Sequence, residues 1–268
     1  MQLGFCSNML AWAGDTTGLG YLEQIRDAGF DYLEAPAAQL LALSPPGTEA
    51  MIERVLASGL PCRAFNNLFQ PQIRLTGDRV DDRQVDDYFA RALAAAAKLK
   101  VEIVVLGSSA ARNLPMGFPP EKAWGQMVAM LRRFGPRLEE AGVTLVIEHL
   151  NHLEGNFLDS FTDGLRLAEE VGHPQVQGFV DFYHLDLGNE RIELVDRHFP
   201  RIRHCHFSNV LNRGIPTRER HEKRLVEFLE LLRKRGYPHL LSVEGFPAGE
   251  DASLLIPRAA EFIRSHID

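Results

Sequence analysis

Short apolar runs punctuate the chain at nearly even intervals, at 2–5, 31–35, 61–65, 102–106, 143–147, 177–181, 202–207 and 239–243, each rich in Val, Ile, Leu, Phe or Cys. Runs this short and this continuously apolar predict strands buried on both faces. Between them the period changes. Residues 21–26, 85–98, 121–140, 160–171 and 222–235 set apolar side chains three and four apart, which predicts amphipathic helices. Gly29, Gly59, Gly142 and Gly236 stand just ahead of strands, where a left-handed residue closes the preceding helix. Strict alternation of strand and helix demands a parallel sheet. Eight such units in 268 residues favour closure into a (β/α)₈ barrel over an open, doubly wound sheet.

No linker, low-complexity tract or shift of composition divides the chain, so residues 1–268 read as one barrel domain. The longest loops after strands, 66–83, 107–120 and 208–221, then lie at the C-terminal face, where barrels build their sites.

Four strands end alike. Val143 through Ile147 stops on Glu148, Phe179-Val180 on Asp181, the run from Ile202 on His206, and Leu241-Ser242-Val243 on Glu244. A lone carboxylate at the mouth of an apolar barrel costs several kcal/mol of desolvation or takes up a proton. Three of them together call for a cation. Three oxygen donors and one imidazole suit a single divalent ion, Mn²⁺, Mg²⁺ or Co²⁺. Taken singly, Glu148 or Glu244 also reads as a salt-bridged strand end, Asp181 as a helix cap and a histidine as a core residue. Their place on four successive strands at one depth outweighs those readings. His204 and His206, two apart, share the inner face, and Cys205 points away toward the helices.

With 36 acidic and 29 basic residues the net charge is −7, which argues against a phosphate backbone as partner and for a small molecule. No apolar stretch approaches the roughly 18 residues that cross a bilayer, and no basic-then-apolar leader opens the chain. No membrane and a cytoplasmic location are the expectation. Cys6, Cys62 and Cys205, without a CxxC pair, read as reduced structural thiols.

At these residues the chain resembles the xylose-isomerase-like sugar isomerases and epimerases, and is similar within them to the ketose 3-epimerases of the tagatose and psicose type. Glu148-His149-Leu150-Asn151-His152-Leu153-Glu154 resembles that family's Glu-Pro-Leu-Asn-Arg-Tyr-Glu, which implies a metal ligand at Glu148 and a substrate contact at Glu154. Asp181-Phe182-Tyr183-His184 matches Asp-x-x-His, implying metal at Asp181 and substrate at His184. His204-Cys205-His206 matches His-x-His with the second histidine on the metal, and Val243-Glu244-Gly245-Phe246 resembles Met-Glu-Pro-Phe. Arg213 falls close to the arginine that holds the substrate's end, and Glu34 where these proteins often carry an acid behind the ligands. His149 and Gly245 replace the usual prolines, His152 the usual arginine, and Gly107 through Arg112 lacks the aromatic residue that caps the sugar in many of these enzymes.

The resemblance implies a metal-dependent isomerase or epimerase that moves a proton beside the carbonyl of a ketose or related keto-sugar through an enediolate. Glu148 and Glu244 are its acid–base pair, one divalent ion (Mn²⁺ first) is its cofactor, and a sugar or polyol is its substrate. Dimers and tetramers are common among similar proteins, so a homo-oligomer fits. Phe65, Phe182 and Phe246 are expected to exclude water. Arg112 and Arg218 read either as anion-holding groups or as solvated loop charges, and Asn66-Asn67 as pocket lining or a turn. A lyase or dehydratase that shares the proton abstraction is the alternative. An endonuclease-IV-like phosphodiesterase, with three metals and basic loops, is the more distant one.

Overall fold

Each apolar run forms a strand in the computed structural model, which describes residues 1–268. The strands are β1 Gln2–Cys6, β2 Tyr32–Pro36, β3 Cys62–Asn66, β4 Ile103–Leu106, β5 Thr144–Ile147, β6 Val176–Asp181, β7 Ile202–Phe207 and β8 Leu240–Val243. All pair in parallel with their chain neighbours, and β8 closes on β1 through Gln2 to Leu240 and Phe5 to Val243. The expected (β/α)₈ barrel is therefore the fold. Its helices end as the glycines foretold, with Gly29, Gly59, Gly142 and Gly236 all at positive φ. Helix starts are capped where the chain supplies an acceptor: Asp81 takes the Arg83 and Gln84 N–H groups, and Ser160 takes that of Asp163.

The core is divided by the strand wall. A large apolar layer of 74 buried residues packs mainly between strands and helices, whereas only Tyr32, Ala64, Ile103, Val105, Val146, Phe179 and Leu240 form the plug inside the barrel. Side chains alternate along a strand, so a step of two residues from that plug toward the C-terminal mouth stays on the inner face. That step leads from Tyr32 to Glu34, Ala64 to Asn66, Val146 to Glu148, Phe179 to Asp181 and Leu240 to Ser242, and a further step reaches Glu244. The polar layer above the plug is thus built by parity.

Parity also corrects two expectations. Phe65 lies between the inward Ala64 and Asn66, so it faces the helices and joins the outer layer. Phe182 packs its ring 5.3 Å from Phe228 of the helix Lys223–Lys234. Neither borders the mouth, whereas Phe246 is exposed there. Besides the three loops foreseen as longest, residues 148–160 form an extended connection to the helix Phe161–Val171. That connection carries both Glu148 and Glu154.

Candidate metal centre

Glu148, Asp181, His206 and Glu244 converge as expected, each offering a ligand atom, with all four atoms within 4.8 Å of one another and every residue buried. Two of these atoms have no hydrogen-bond partner, Oδ2 of Asp181 and Nδ1 of His206. Buried polar atoms are rarely left unpaired, so the donor set fits a cation at their common centre. Asp181 divides its work: Oδ1 accepts the Tyr183 N–H at 2.8 Å and caps the helix Phe182–Leu187, which leaves Oδ2 toward the centre. The cap reading and the ligand reading of this residue are compatible.

The other ring nitrogen fixes the orientation of His206. Nε2 lies 2.8 Å from Oε1 of Glu34, and Nδ1 faces Glu244 at 3.2 Å. Glu34 also meets Nε2 of His204 at 2.8 Å and accepts from Oγ of Ser242 at 2.6 Å, and the Tyr32 hydroxyl lies 2.6 Å from that same Oγ. The two nitrogens of His204 face Glu34 and the Leu240 carbonyl, the latter at 3.0 Å. Burial pushes the Glu34 carboxyl up, but His206 and His204 outweigh it and hold the group well below the usual carboxylate range. A second cluster, Cys6 with Glu34 and His206, offers a weaker set. Glu34 is already fully hydrogen-bonded there, and burial pushes the Cys6 thiol up, so it keeps its proton. All three cysteines are free and buried, in line with structural thiols.

The metal-side carboxylates strain against one another. Burial raises Asp181 to about 6, with Glu244 and Glu148 adding to the rise against the pull of His184 and Arg213. Burial also opposes the Glu244 charge, yet Arg213 and then His206 hold that carboxyl at about 2. Glu148 rests on Gly107 at the end of β4: a Cβ there would stand 2.0 Å from Oε2 of Glu148. Glycine is what lets this carboxylate occupy the space.

The three substrate-side residues expected from the sequence gather at the rim. Asn151 donates through its backbone N–H and Nδ2 to Nδ1 of His184, at 3.2 and 2.7 Å. Nδ1 is therefore the bare nitrogen, and Nε2 carries the hydrogen, 3.4 Å from Asp181 and 3.6 Å from Glu148. Arg213 donates to Oε2 of Glu154 at 3.0 Å and to Oε2 of Glu244 at 2.5 Å, and its guanidinium lies 4.6 Å from the Tyr183 ring centroid. Two loops hold it there. The Phe246 N–H donates to the Arg213 carbonyl at 2.7 Å, and the Ile215 N–H donates to the Phe246 carbonyl at 2.9 Å.

Several neighbours carry no signal of their own in the sequence. Asn8 accepts from Nδ2 of Asn66 at 2.8 Å, and Asn66 reaches Glu244 at 3.4 Å. Asn66 thus lines the site, while Asn67, at φ 45°, makes the turn. Arg218 is a solvated loop charge, 3.6 Å from Glu261. Arg112 is not a solvated loop charge: it is fully buried, donates from Nη1 to the Leu106 carbonyl at 3.0 Å, and leaves Nε and Nη2 without partners. No helix is long and apolar enough to cross a membrane.

Comparison with known proteins supplies the family. A D-psicose 3-epimerase of Agrobacterium fabrum is 23% identical over 215 residues, 75% of this chain and 70% of that protein. An L-ribulose 3-epimerase of Mesorhizobium japonicum is 29% identical over 90 residues, 34% of this chain but only 30% of that protein's length. Among solved structures, an L-ribulose 3-epimerase superposes with a TM-score of 0.83 at 22% identity, over 100% of this chain and 95% of the other. The family model described as xylose isomerase-like TIM barrel matches residues 22–266, and the chain belongs to that family.

Proposed function

We propose that this chain is a divalent-metal-dependent epimerase of keto-sugars, which removes and returns a proton at a carbon beside the carbonyl. The observation that carries this reading is the buried quartet of Glu148, Asp181, His206 and Glu244, with two of its atoms unpartnered. The names of the similar proteins, psicose and ribulose 3-epimerases, agree with it. A divalent ion held by the four, through Nδ1 of His206, supplies the positive charge that makes loss of a carbon-bound proton accessible. The donor set suits Mn²⁺ first, then Mg²⁺ or Co²⁺.

The chain's own groups divide the remaining work. Glu148 at the end of β5 and Glu244 at the end of β8 approach the site from separate strands, so one takes the proton from one face of the carbon and the other returns it on the opposite face. The Nε2–H of His184 and the Arg213 guanidinium donate to substrate oxygens at the carbonyl end. Glu154, paired with Arg213, accepts from a hydroxyl. Phe246 at the mouth keeps bulk water off the reacting carbon. Removal on one face and return on the other inverts the centre, and the carboxyl that returns the proton draws it from solvent between turnovers.

The test is solvent deuterium incorporation with Mn²⁺ in D₂O across a ketose panel, read by mass spectrometry and NMR. Carbon-bound deuterium in a product of unchanged connectivity is expected, and Glu244→Gln should abolish it in a protein that still folds. No exchange into any ketose sinks the proposal. Loss of water from the product would instead establish the dehydratase alternative, and three ions per chain the phosphodiesterase.

A further inference from the structure

A second cavity, of 580 Å³, lies between the loop that follows β7 and the loop that follows β8, with Leu255 of the helix Ala252–Ile267 also in its lining. It shares a wall with the metal centre. Along that wall Arg213 turns inward to Glu244, whereas its neighbours Asn212 and Gly214 line the cavity. Gly214 bridges to Phe246, so the wall is a short stretch of paired backbone. Two apolar side chains crown this region, Leu211 at 75% and Phe246 at 45% exposure. Arg213 thus stands between the cavity and the proposed reaction centre.

Its chemistry is specific. Asn209 is 6% exposed and lines the cavity; its Nδ2 donates to the Arg220 carbonyl at 3.0 Å, while Oδ1 is buried with no partner. Glu219, Glu222 and Glu250 also line it against one guanidinium, Arg220, for a net charge of −2. Glu222 is occupied in accepting the Val210 and Leu211 N–H groups, and Glu250 pairs with Arg220. What remains on offer is Oδ1 of Asn209 and the exposed Glu219 carboxylate as acceptors, with the exposed Asn212 amide and His221 imidazole, beside the apolar surfaces of Leu211, Ile215 and Pro247. Acceptors and donors together, under net negative charge, disfavour a phosphate or carboxylate and suit a neutral, hydroxyl-rich ligand. Apolar side chains beside them match the C–H face of a sugar ring. The volume lies within the range that holds a small organic ligand.

We propose that this cavity is a subsite for a neutral glycosyl ring attached to the keto-sugar, so that the substrate is a glycoside whose linkage crosses the wall between Leu211 and Phe246. The inference rests on the keto-sugar reading above and names its substrate class. It also gives the rim a purpose: a free ketose covers the metal centre alone and leaves Leu211 and the unpartnered Asn209 oxygen in water or without a bond. A glycoside uses both.

The experiment compares D-fructose, D-tagatose and L-ribulose with the 4-O- and 6-O-glucosides of D-fructose, using the Mn²⁺-loaded full chain and deuterium uptake at carbon. The best glucoside is expected to exceed every free ketose in kcat/KM by roughly tenfold or more, the worth of one hydrogen bond to a charged acceptor. Glu219→Gln and Leu211→Ala, both at exposed positions, should each lower the glucoside-to-fructose ratio, chiefly through KM. Faster exchange into a free ketose than into both glucosides overturns the subsite while leaving the epimerase reading intact, as does an unchanged ratio in both variants. No exchange into any sugar overturns the epimerase reading, and the subsite with it.

Discussion

Replacing Glu34 by Gln tests how far the centre depends on a residue that does not touch the proposed ion. Glu34 is fully buried and meets three hydrogen-bonding groups: His204 and His206 at 2.8 Å each and Ser242 at 2.6 Å. Glutamine has one acceptor oxygen and a donor amide. Its oxygen can keep the Nε2–H of His206, but its amide then faces Nε2 of His204 and the Ser242 hydroxyl. An amide nitrogen accepts from neither, so His204 and Ser242 both lose the oxygen they met. Two of the three contacts to a buried carboxylate disappear, while the geometry is nearly conserved. Breaking a buried pair by removing one partner costs about 3–5 kcal/mol, and the surviving bonds place this variant near the lower bound, about 3 kcal/mol. At about 2–4 °C per kcal/mol for a chain of this size, the melting temperature should fall by roughly 6–12 °C. The metal should suffer as well, because His206 presents Nδ1 only while Nε2 is anchored. A partner behind a ligating histidine is worth roughly 10–100-fold in metal affinity. Isothermal titration with Mn²⁺ and a thermal melt, run side by side, measure both. Wild-type Mn²⁺ affinity in a folded Glu34→Gln protein would refute the argument that this carboxylate orients the ligand.

Four further outcomes follow from other residues. Gly107→Ala puts a Cβ 2.0 Å from Oε2 of Glu148, so Mn²⁺ affinity should drop by roughly tenfold or more, with an overpacking cost of about 1–3 kcal/mol; unaltered binding means that Glu148 has room to move. Arg112→Met removes a buried cation with two unpaired nitrogens, and the melting temperature should hold or rise; a large fall would show that the guanidinium meets partners the geometry does not reveal. Burial, with His184 and Arg112 adding to it, lowers the His149 pKa well below its usual value, so below pH ~6.5 the unfolded chain binds the extra proton and stability is lost as pH falls, by at most ~1.4 kcal/mol per pH unit. His149→Leu should therefore gain on the wild type in thermal melts between pH 7.5 and 5.5, and a pH-independent difference contradicts the burial argument. Adding Mn²⁺ to chelator-treated protein should raise the melting temperature, by about 2.7 kcal/mol of stability at a hundred times Kd, whereas Asp181→Asn should abolish the rise.

The barrel was legible because its signal is repeated: eight continuous apolar runs with helical stretches between them leave little choice of architecture, and a misjudged boundary of one residue changes nothing. The convergent quartet was legible for a related reason. A carboxylate or imidazole at the end of an apolar strand is costly wherever it stands, and Glu148, Asp181, His206 and Glu244 repeat that anomaly on four successive strands. The two aromatic misreadings have a different origin. Phe65 and Phe182 were judged by type and nearness to site residues, although the alternation that turned Ala64 and Asn66 inward already turned Phe65 out.

What the chain could not announce is pairing across the barrel. Glu34 stands out as an acid closing β2, but nothing local says that its oxygens meet histidines some 170 residues away on β7. Asn151 was part of a recognisable motif, yet its effect is to set the tautomer of His184, and that needs the β5 loop to fold over the helix that begins at Phe182. Arg112 shows the limit from the other side: a charged residue in a loop is expected in water, and only the fold of residues 107–120 over β4 buries it. The first layer of the site is a property of strand ends, which sequence records directly. The layer behind it belongs to closure of the barrel, since Glu34 of β2 meets His204 and His206 of β7 and Ser242 of β8 only because β8 comes round to pair with β1. If that is right, substitutions in the second layer, Glu34 above all, should change metal affinity and stability together, whereas substitutions of the ligands themselves should separate the two.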